Sequence, residues 1–498
     1  MIQSGRRSSD LRTFPPISSQ TNNLQSPLLS DEQDEQDDDE SAISSTCCSF
    51  QCCSIPKNHN VRYILLYSFF WYLAASIFQR DLLSVLVKKI SGSSQDVGFI
   101  SGAQGLTQVV LAIPVGYYGD RFLRQSLLRS GVVVGCIALA ITSYVFINLK
   151  PNSSLLLFYI GFGVWGAFVV LTNPALESLF ADSVATGDRA HIFSIKYATL
   201  QIASATGPFV SVLLFYKLGD TWDLNVLRIV LLIGSGIGVF AILFLLLLKD
   251  SAGLGSESEV IEDTDDNAEN MDSEQWIDNI NHNQDELHGN TPRCCSCLCG
   301  DDTNRTIRWT IAICDVATST AAGMTVKFFP LFFVSEGKGE KLGYKFTPIE
   351  LSWVYLVMPI CTVTVAVVLP RLIKRKIVSR PAAMLLCKAA GIAALYGMVF
   401  FDLTCSNPIA MASLFIFRTA IMNGSAGIKR SILMDAVPKA QRVRWNSLES
   451  ITRLTWSGSA ALGGVLIDAL GYRQTFLITA IVYTISTTPL LLLLPIVD

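Results

Sequence analysis

The chain has 498 residues, of which half are hydrophobic and only 16% are charged. Its mean hydropathy of +0.42 excludes an ordinary soluble globular protein of this length and indicates a membrane protein. The formal net charge of −3 says little about partners, because much of the acid lies in two polar stretches, residues 31–40 and 257–286. Their composition is typical of disordered segments.

The amino-terminal tail, residues 1–60, is polar and Ser-rich and contains no apolar signal-peptide core, so we expect it to stay in the cytoplasm. Two cysteine groups lie close to apolar runs, Cys47, Cys48, Cys52 and Cys53 in the tail and Cys294, Cys295, Cys297 and Cys299 further on. Their position predicts S-palmitoylation, with zinc binding as the alternative. A dileucine at Leu28 beside the acidic run leaves an endolysosomal or vacuolar membrane and the plasma membrane both open.

Twelve apolar runs follow, each about the length that a helix needs to cross roughly 30 Å of hydrocarbon. We number them spans 1 to 12, and they cover residues 62–87, 95–118, 127–148, 154–179, 192–216, 226–248, 307–334, 347–369, 381–402, 408–432, 446–468 and 474–496. We therefore predict an all-α membrane protein with twelve transmembrane helices in two six-helix bundles. The bundles occupy residues 61–249 and 307–498, and a disordered acidic cytoplasmic linker, residues 250–306, joins them.

Lys and Arg concentrate in the loops between spans 2 and 3, 8 and 9, and 10 and 11. By the positive-inside rule these loops, both termini and the linker are cytoplasmic. The sequon at Asn152 then lies on the other side of the membrane, where it is either glycosylated or an unmodified turn.

The two halves resemble each other in the loops. Asp182 and Arg189 follow span 4 at a spacing of seven residues, and Asp435 and Arg442 follow span 10 at the same spacing. Parallel repeats of six spans place a substrate cavity at their interface near the membrane midplane.

The short loop between spans 2 and 3 carries Gly116, Asp120, Arg121 and Arg124. These residues match the pattern Gly-x-x-x-Asp-(Arg/Lys)-x-Gly-(Arg/Lys)-(Arg/Lys), and the chain from residue 62 to 496 resembles the major facilitator superfamily. The resemblance implies that two bundles rock about a central site and that the Asp120 loop locks the cytoplasmic side. We assign gating to these four residues and to the repeated pairs Asp182, Arg189, Asp435 and Arg442. The alternative is that the loop charges are solvated and only set the topology.

Charged groups inside spans each cost about 3 kcal/mol or more at the bilayer centre, so they need a partner, water or substrate. In the family, spans 1, 4, 7 and 10 line the cavity, which implies that Arg80, Lys327 and Arg418 bind substrate and that Asp315 faces the same space. Three of these four groups are cationic, which favours an organic anion.

Arg80 and its neighbours in span 1 are similar to a segment of organic-anion symporters and spinster-like transporters. Alternatively, Arg80 and Asp81 reach towards the outer interface. Trp165 in span 4 is a candidate substrate contact or a packing residue. Asp315 is the candidate proton-coupling group, and Glu449 and Arg453, four residues apart, are expected to form a structural ion pair.

The sequence has no Walker A, dinucleotide-binding or metalloprotease motif, and we predict neither an enzyme nor a cofactor or metal site. We expect a monomeric secondary-active carrier of a small organic anion, with proton coupling as an option and without a nucleic-acid partner. A lipid-like or drug-like substrate, or a transport-silent receptor or accessory subunit, is the alternative.

Overall fold

The computed structural model of the protein describes residues 58–119, 124–148, 155–184, 189–253, 296–335, 343–400, 407–437 and 448–495. All of them belong to one compact unit, and within them every regular element is a helix. The amino-terminal tail with its cysteines and dileucine, most of the linker and the sequon at Asn152 lie outside these residues.

Helices account for all six predicted spans of the first half. Span 1 consists of two helices, His59–Phe78 and Asp81–Ser91. Spans 2 to 6 are the helices Ser94–Gly119, Arg124–Ile147, Leu156–Asp182, Arg189–Leu218 and Leu224–Phe244. Two short 3-10 helices, Leu245–Leu247 and Asp250–Ala252, follow span 6.

The second half repeats this order. Span 7 consists of Ser296–Val326 and Phe329–Val334, and span 10 consists of Pro408–Gly424 and Ala426–Ala436. Spans 8, 9, 11 and 12 are Pro348–Lys374, Arg380–Phe400, Leu448–Leu470 and Tyr472–Thr487, and span 12 continues into the 3-10 helix Thr488–Leu493. The predicted all-helical, two-half architecture is confirmed.

Eleven of the described segments are long and apolar enough to cross a membrane. Span 11 is the exception, because Ser, Thr and Gly residues and the charges of Arg453 and Asp468 lower its mean hydropathy. It packs against span 2 on one side and span 7 on the other, so neighbouring helices cover much of its polar surface.

Spans 1 and 7, the first of each half, are both broken at a cationic residue. The backbone leaves the helical conformation at Arg80, with φ −105° and ψ −109°, and a turn at Lys327 and Phe328 separates the two helices of span 7. Discontinuous helices at membrane depth are tolerated where the freed backbone groups line a polar cavity. The two breaks therefore mark where such a cavity is expected.

Helix packing respects the repeat. Inside the first half, span 2 packs on span 4, and inside the second half, span 8 packs on span 10. Across the interface, span 2 contacts span 11 and span 5 contacts span 8. These two contacts are equivalent in the repeat, because span 8 corresponds to span 2 and span 11 corresponds to span 5. A Cβ atom at Gly98 in span 2 would overlap the carbonyl oxygen of Ala460 in span 11, so these two backbones touch.

Carboxylates hold the two halves together at one end of the molecule. Since the number of spans is even, span 1 begins and span 12 ends at the same end, which we call the terminal face; the other end is the opposite face. At the opposite face Asp468 of span 11 accepts hydrogen bonds from the backbone N–H groups of Ser94 at 2.7 Å and Gln95 at 3.0 Å, and it forms an ion pair with Lys88 at 3.2 Å. These amides belong to the first turn of span 2 and have no partner within their own helix.

A second carboxylate makes the repeat-related contact. Asp220, just after span 5, accepts a hydrogen bond of 3.0 Å from the backbone N–H of Ile349 in the first turn of span 8. Trp222 also donates from its indole nitrogen to the carbonyl oxygen of Phe346 at 2.7 Å. The halves are thus closed on each other at the opposite face.

Candidate functional site

A cavity of about 790 Å³ lies between the halves. Its volume suits a small organic molecule. The second half supplies nearly all of the lining, from spans 7 to 12, whereas the first half contributes Arg80, Asp81 and Ser84 of span 1. On span 10 the lining runs from Phe415 to Leu433, so the cavity extends towards the terminal face.

Arg418 lies in the wall of the cavity with only 3% of its surface exposed. Its guanidinium carbon is 5.3 Å from the ring centre of Phe329 and 5.5 Å from that of Tyr483. The Nε and Nη2 atoms of Arg418 are buried and have no hydrogen-bond partner among the described residues. The same holds for the hydroxyl groups of Tyr355 and Thr419, which also line the cavity. This region therefore has hydrogen-bonding capacity that the protein itself does not use.

Arg80, Asp81 and Lys327 form a second charged group where spans 1 and 7 break. All three line the cavity, and Asp81 lies within electrostatic range of both cations. The ammonium group of Lys327 is 5.5 Å from the ring centre of Trp456 in span 11. The structure places Asp81 and the exposed Arg80 in the cavity wall, and the alternative in which they reach towards the outer interface stays a prediction.

Asp315, the predicted proton-coupling residue, lines the cavity and pairs with Lys429 of span 10 at 2.7 Å. Lys388 of span 9 also lines the cavity, is 9% exposed and lies within electrostatic range of this pair. Among the described residues Lys388 has no ion pair or hydrogen bond of its own.

Trp165 lies outside the cavity, in the aromatic core of the first half. It is completely buried, and its ring centre is 5.3 Å from that of Trp71, 5.4 Å from Phe168 and 5.7 Å from Phe78. The packing alternative fits this position, and a direct substrate contact does not. Span 4 has large aromatic side chains at this height, and the sequence alone does not distinguish the wall of a cavity from a packed core.

The predicted gating residues are described only in part. Arg124 and Asp182 form an ion pair at the terminal ends of spans 3 and 4, within the first half. Gly116 lies near the terminal end of span 2, and no atom of the described residues lies within 4 Å of where its Cβ would be. The side chains of Asp120, Arg121, Arg189, Asp435 and Arg442 lie outside the described residues, as does that of Glu449. The expected pair between Glu449 and Arg453 therefore stays a prediction.

Further residues line the cavity that were not predicted from the sequence, among them Lys388, Lys429 and Tyr355. A signal was available for the two lysines, because each is a charged residue within a predicted apolar span, 381–402 or 408–432. Tyr355 gave no such signal, since an aromatic residue in a span is more often a packing or lipid contact.

Comparison with known proteins gives one short sequence match to a curated relative, the Na(+), Li(+), K(+)/H(+) antiporter of Planococcus maritimus. The two are 30% identical over 119 residues, which is 24% of this chain and 28% of the antiporter. The matched segment thus spans little more than a quarter of that relative.

Solved structures share the whole architecture at low sequence identity. A bacterial homologue of the human lysosomal transporter spinster, in an inward-facing and unoccupied conformation, matches with a TM-score of 0.59 and 13% identity, covering 88% of this chain and 97% of the homologue. A bacterial homologue of the iron transporter ferroportin, also inward-facing, matches with a TM-score of 0.58 and 12% identity over 86% and 98% of the two chains. A POT family transporter in complex with 5-aminolevulinic acid gives 0.59 and 13% over 87% and 96%.

The family model of the Major Facilitator Superfamily matches residues 63–453. This match covers well over half of the chain and includes all or part of eleven spans. It agrees with the repeated halves, the cavity between them and the Gly116 to Arg124 loop. The chain belongs to the major facilitator superfamily and is a multi-pass membrane transporter of that type.

Proposed function

We propose that the protein is a secondary-active carrier of a small organic anion that works by alternating access. The observation that carries this proposal is Arg418, a buried guanidinium in the cavity wall with two unused N–H donor atoms. A guanidinium offers paired donors in the geometry that a carboxylate or phosphate accepts. Arg80 and Lys327 add positive charge to the same cavity.

Proton coupling through Asp315 belongs to the same proposal. Asp315 is a carboxylate in the cavity wall that is paired with Lys429, so taking up a proton would release the lysine. Protonation of Asp315 and binding of the anion would then both change the charge of the same cavity. We also propose that the terminal face is cytoplasmic, because the basic loops between spans 2 and 3 and between spans 8 and 9 lie there.

Uptake into proteoliposomes tests this function directly. We expect labelled organic anions, and not sugars or organic cations, to accumulate in vesicles with an imposed pH gradient. In Arg418→Ala the apparent affinity for the anion should fall by about tenfold or more, the effect of losing a charged hydrogen bond. Arg473→Ala is the matched control, since Arg473 is exposed at the start of span 12, away from the cavity.

An anion affinity in Arg418→Ala equal to that of the unmodified protein would contradict the role of Arg418. Accumulation of a lipid-like or cationic compound in place of every anion would overturn the proposed substrate class. If no compound accumulated, a transport-silent receptor or accessory subunit would be the better description.

A further inference from the structure

Aromatic rings surround Arg418 in the wall of the cavity. The ring centres of Phe329 and Tyr483 lie 5.3 Å and 5.5 Å from its guanidinium carbon. Phe415 precedes Arg418 by three residues on span 10, so the two side chains are neighbours on one face of the helix. Both contact Phe329, because the ring centres of Phe415 and Phe329 are 4.4 Å apart. Of the three rings, Phe415 and Tyr483 line the cavity together with Arg418.

The apolar surface continues beyond Arg418 in both directions along span 10. Tyr355 of span 8 also lines the cavity, and it packs edge-on against Phe415 with the ring centres 6.0 Å apart and the ring planes at 64°. On the other side, Met422 lines the cavity one turn further along span 10, and thioethers pack well against rings. A ligand whose charged group lies at Arg418 therefore meets apolar side chains on either side of it.

Arg418 is the group of this cavity that best fits the charged end of such a ligand. Its buried unused atoms, Nε and Nη2, lie on one edge of the guanidinium, so their N–H groups point the same way and match the two oxygens of a carboxylate. Arg418 has no carboxylate partner among the described residues. In contrast, Lys429 is paired with Asp315, and Lys327 lies within electrostatic range of Asp81.

We propose that the substrate is an aromatic organic acid, with its carboxylate on Nε and Nη2 of Arg418 and its ring against Phe415. The inference rests on the proposed anion carrier and names its substrate class. Side chains three residues apart on a helix begin about 5–6 Å from each other, which suits a ring that bears its acid group directly or through a short arm. An aromatic ligand adds an edge-to-face or stacked contact that an aliphatic acid of the same size cannot make.

Three probes of equal charge test this substrate class: benzoate, cyclohexanecarboxylate and acetate. Calorimetry with the purified full-length protein in lipid nanodiscs measures the affinities without any transport step, and empty nanodiscs give the background from partition into lipid. We expect benzoate to bind about threefold or more tightly than cyclohexanecarboxylate, the effect of one aromatic pair. Acetate should bind about tenfold or more weakly than benzoate, because it buries little apolar area. The saturated ring is the more hydrophobic of the two, so apolar burial alone would favour cyclohexanecarboxylate over benzoate.

Variants then locate the two ends of the ligand. In Phe415→Leu the affinity for benzoate should fall to about that for cyclohexanecarboxylate, with the latter nearly unchanged. Phe415→Tyr keeps a ring and should keep the preference, which guards against a general loss of folding. Arg418→Gln should weaken both probes by about tenfold or more. Phe417→Leu is the matched control and should change neither, since Phe417 lies on the same helix, outside the cavity lining, and is 47% exposed.

Cyclohexanecarboxylate binding as tightly as benzoate in the unmodified protein, or a preference for benzoate that survives in Phe415→Leu, would overturn the aromatic site. If all three probes bound equally and all depended on Arg418, the anion carrier would stand and the inference about aromatic acids would fall. Failure of every anion to bind, together with failure of anion uptake, would reject both.

Discussion

At the scale of single residues, the surroundings of Arg418 explain how a buried guanidinium persists without a carboxylate partner among the described residues. The faces of Phe329 and Tyr483 lie within 5.5 Å of the guanidinium carbon and offer the negative side of their ring quadrupoles. Such contacts compensate the charge in part and leave N–H groups unused. In the proposed carrier, an anion that enters the cavity would complete the hydrogen bonding that the rings cannot supply.

Unlike Arg418, Lys429 is a cation that already has a carboxylate partner, Asp315, and this pair can be tested by substitution. Asp315→Asn removes the carboxylate and leaves Lys429 as another unpaired cation in the wall, so we expect a loss of stability of about 2 kcal/mol. In Asp315→Asn with Lys429→Gln both charges of this pair are removed, and part of the loss should be recovered. Thermal unfolding of the purified variants measures both.

The same variant tests proton coupling. If Asp315 is the group that takes up the proton, uptake by Asp315→Asn should no longer respond to an imposed pH gradient, while exchange of labelled for unlabelled substrate continues. Vesicle uptake with and without the gradient is the measurement. A gradient response equal to that of the unmodified protein would show that another group is coupled to protons.

At the scale of helices, the apolar runs were sufficient to predict which segments span the membrane but not where a helix is broken. Span 3 was expected at residues 127–148 and is the helix Arg124–Ile147. In contrast, the breaks at Arg80 and Lys327 lie inside runs that remain apolar on both sides. Hydropathy is averaged over the side chains of many residues and does not report the backbone conformation at one of them. Each helix break is a backbone feature that packing between distant spans stabilises.

For the candidate site, too, local sequence features could be predicted and contacts between distant spans could not. The sequence pointed to Arg80, Lys327 and Arg418 because isolated charges stand out in apolar runs. It could not indicate that Asp315 pairs with Lys429, 114 residues away, or that Trp165 packs into an aromatic core. Those facts depend on how span 7 meets span 10 and how span 4 packs against span 1, and no local pattern in the chain determines either.

Asp468 provides a prediction at the helix scale. Asp468→Asn keeps the shape of the side chain but loses the negative charge that the first turn of span 2 and Lys88 attract. We expect the closed contact at the opposite face to weaken, so that a population with the face open appears or grows. Pulsed electron resonance between spin labels at the exposed positions Thr221 and Arg473, one in each half, measures the separation.

Asp223→Asn is the matched control for this experiment. Asp223 is an exposed carboxylate at the same face, just before span 6, and its side chain makes no capping hydrogen bond. Its variant should leave the distance distribution unchanged. A distribution in Asp468→Asn identical to that of the control would mean that the remaining contacts hold this face closed without Asp468, namely the packing of Gly98 on Ala460 and the hydrogen bonds of Asp220 and Trp222.

At the scale of the whole molecule, the proposed alternating access links the two faces, because one rigid-body movement would open one face and close the other. The structure is closed at the opposite face through Asp468 and Asp220, with the cavity extending towards the terminal face. Alternating access then requires a comparable closure at the terminal face in the other state. The family pattern around Asp120 predicts that this residue supplies it, again as a carboxylate beside helix amides.

Carboxylates at the two faces should therefore bias one equilibrium in opposite directions. Asp468→Asn removes a contact of the state described here and should increase the population open at the opposite face, whereas Asp120→Asn should decrease it. A ligand or variant shifts such an equilibrium only by its differential effect on the two states, so the double variant should return close to the unmodified distribution. The Thr221 and Arg473 labels report all three variants. If Asp120→Asn increased the open population as Asp468→Asn does, Asp120 would stabilise the same state as Asp468, and the predicted lock at the terminal face would have to come from other residues.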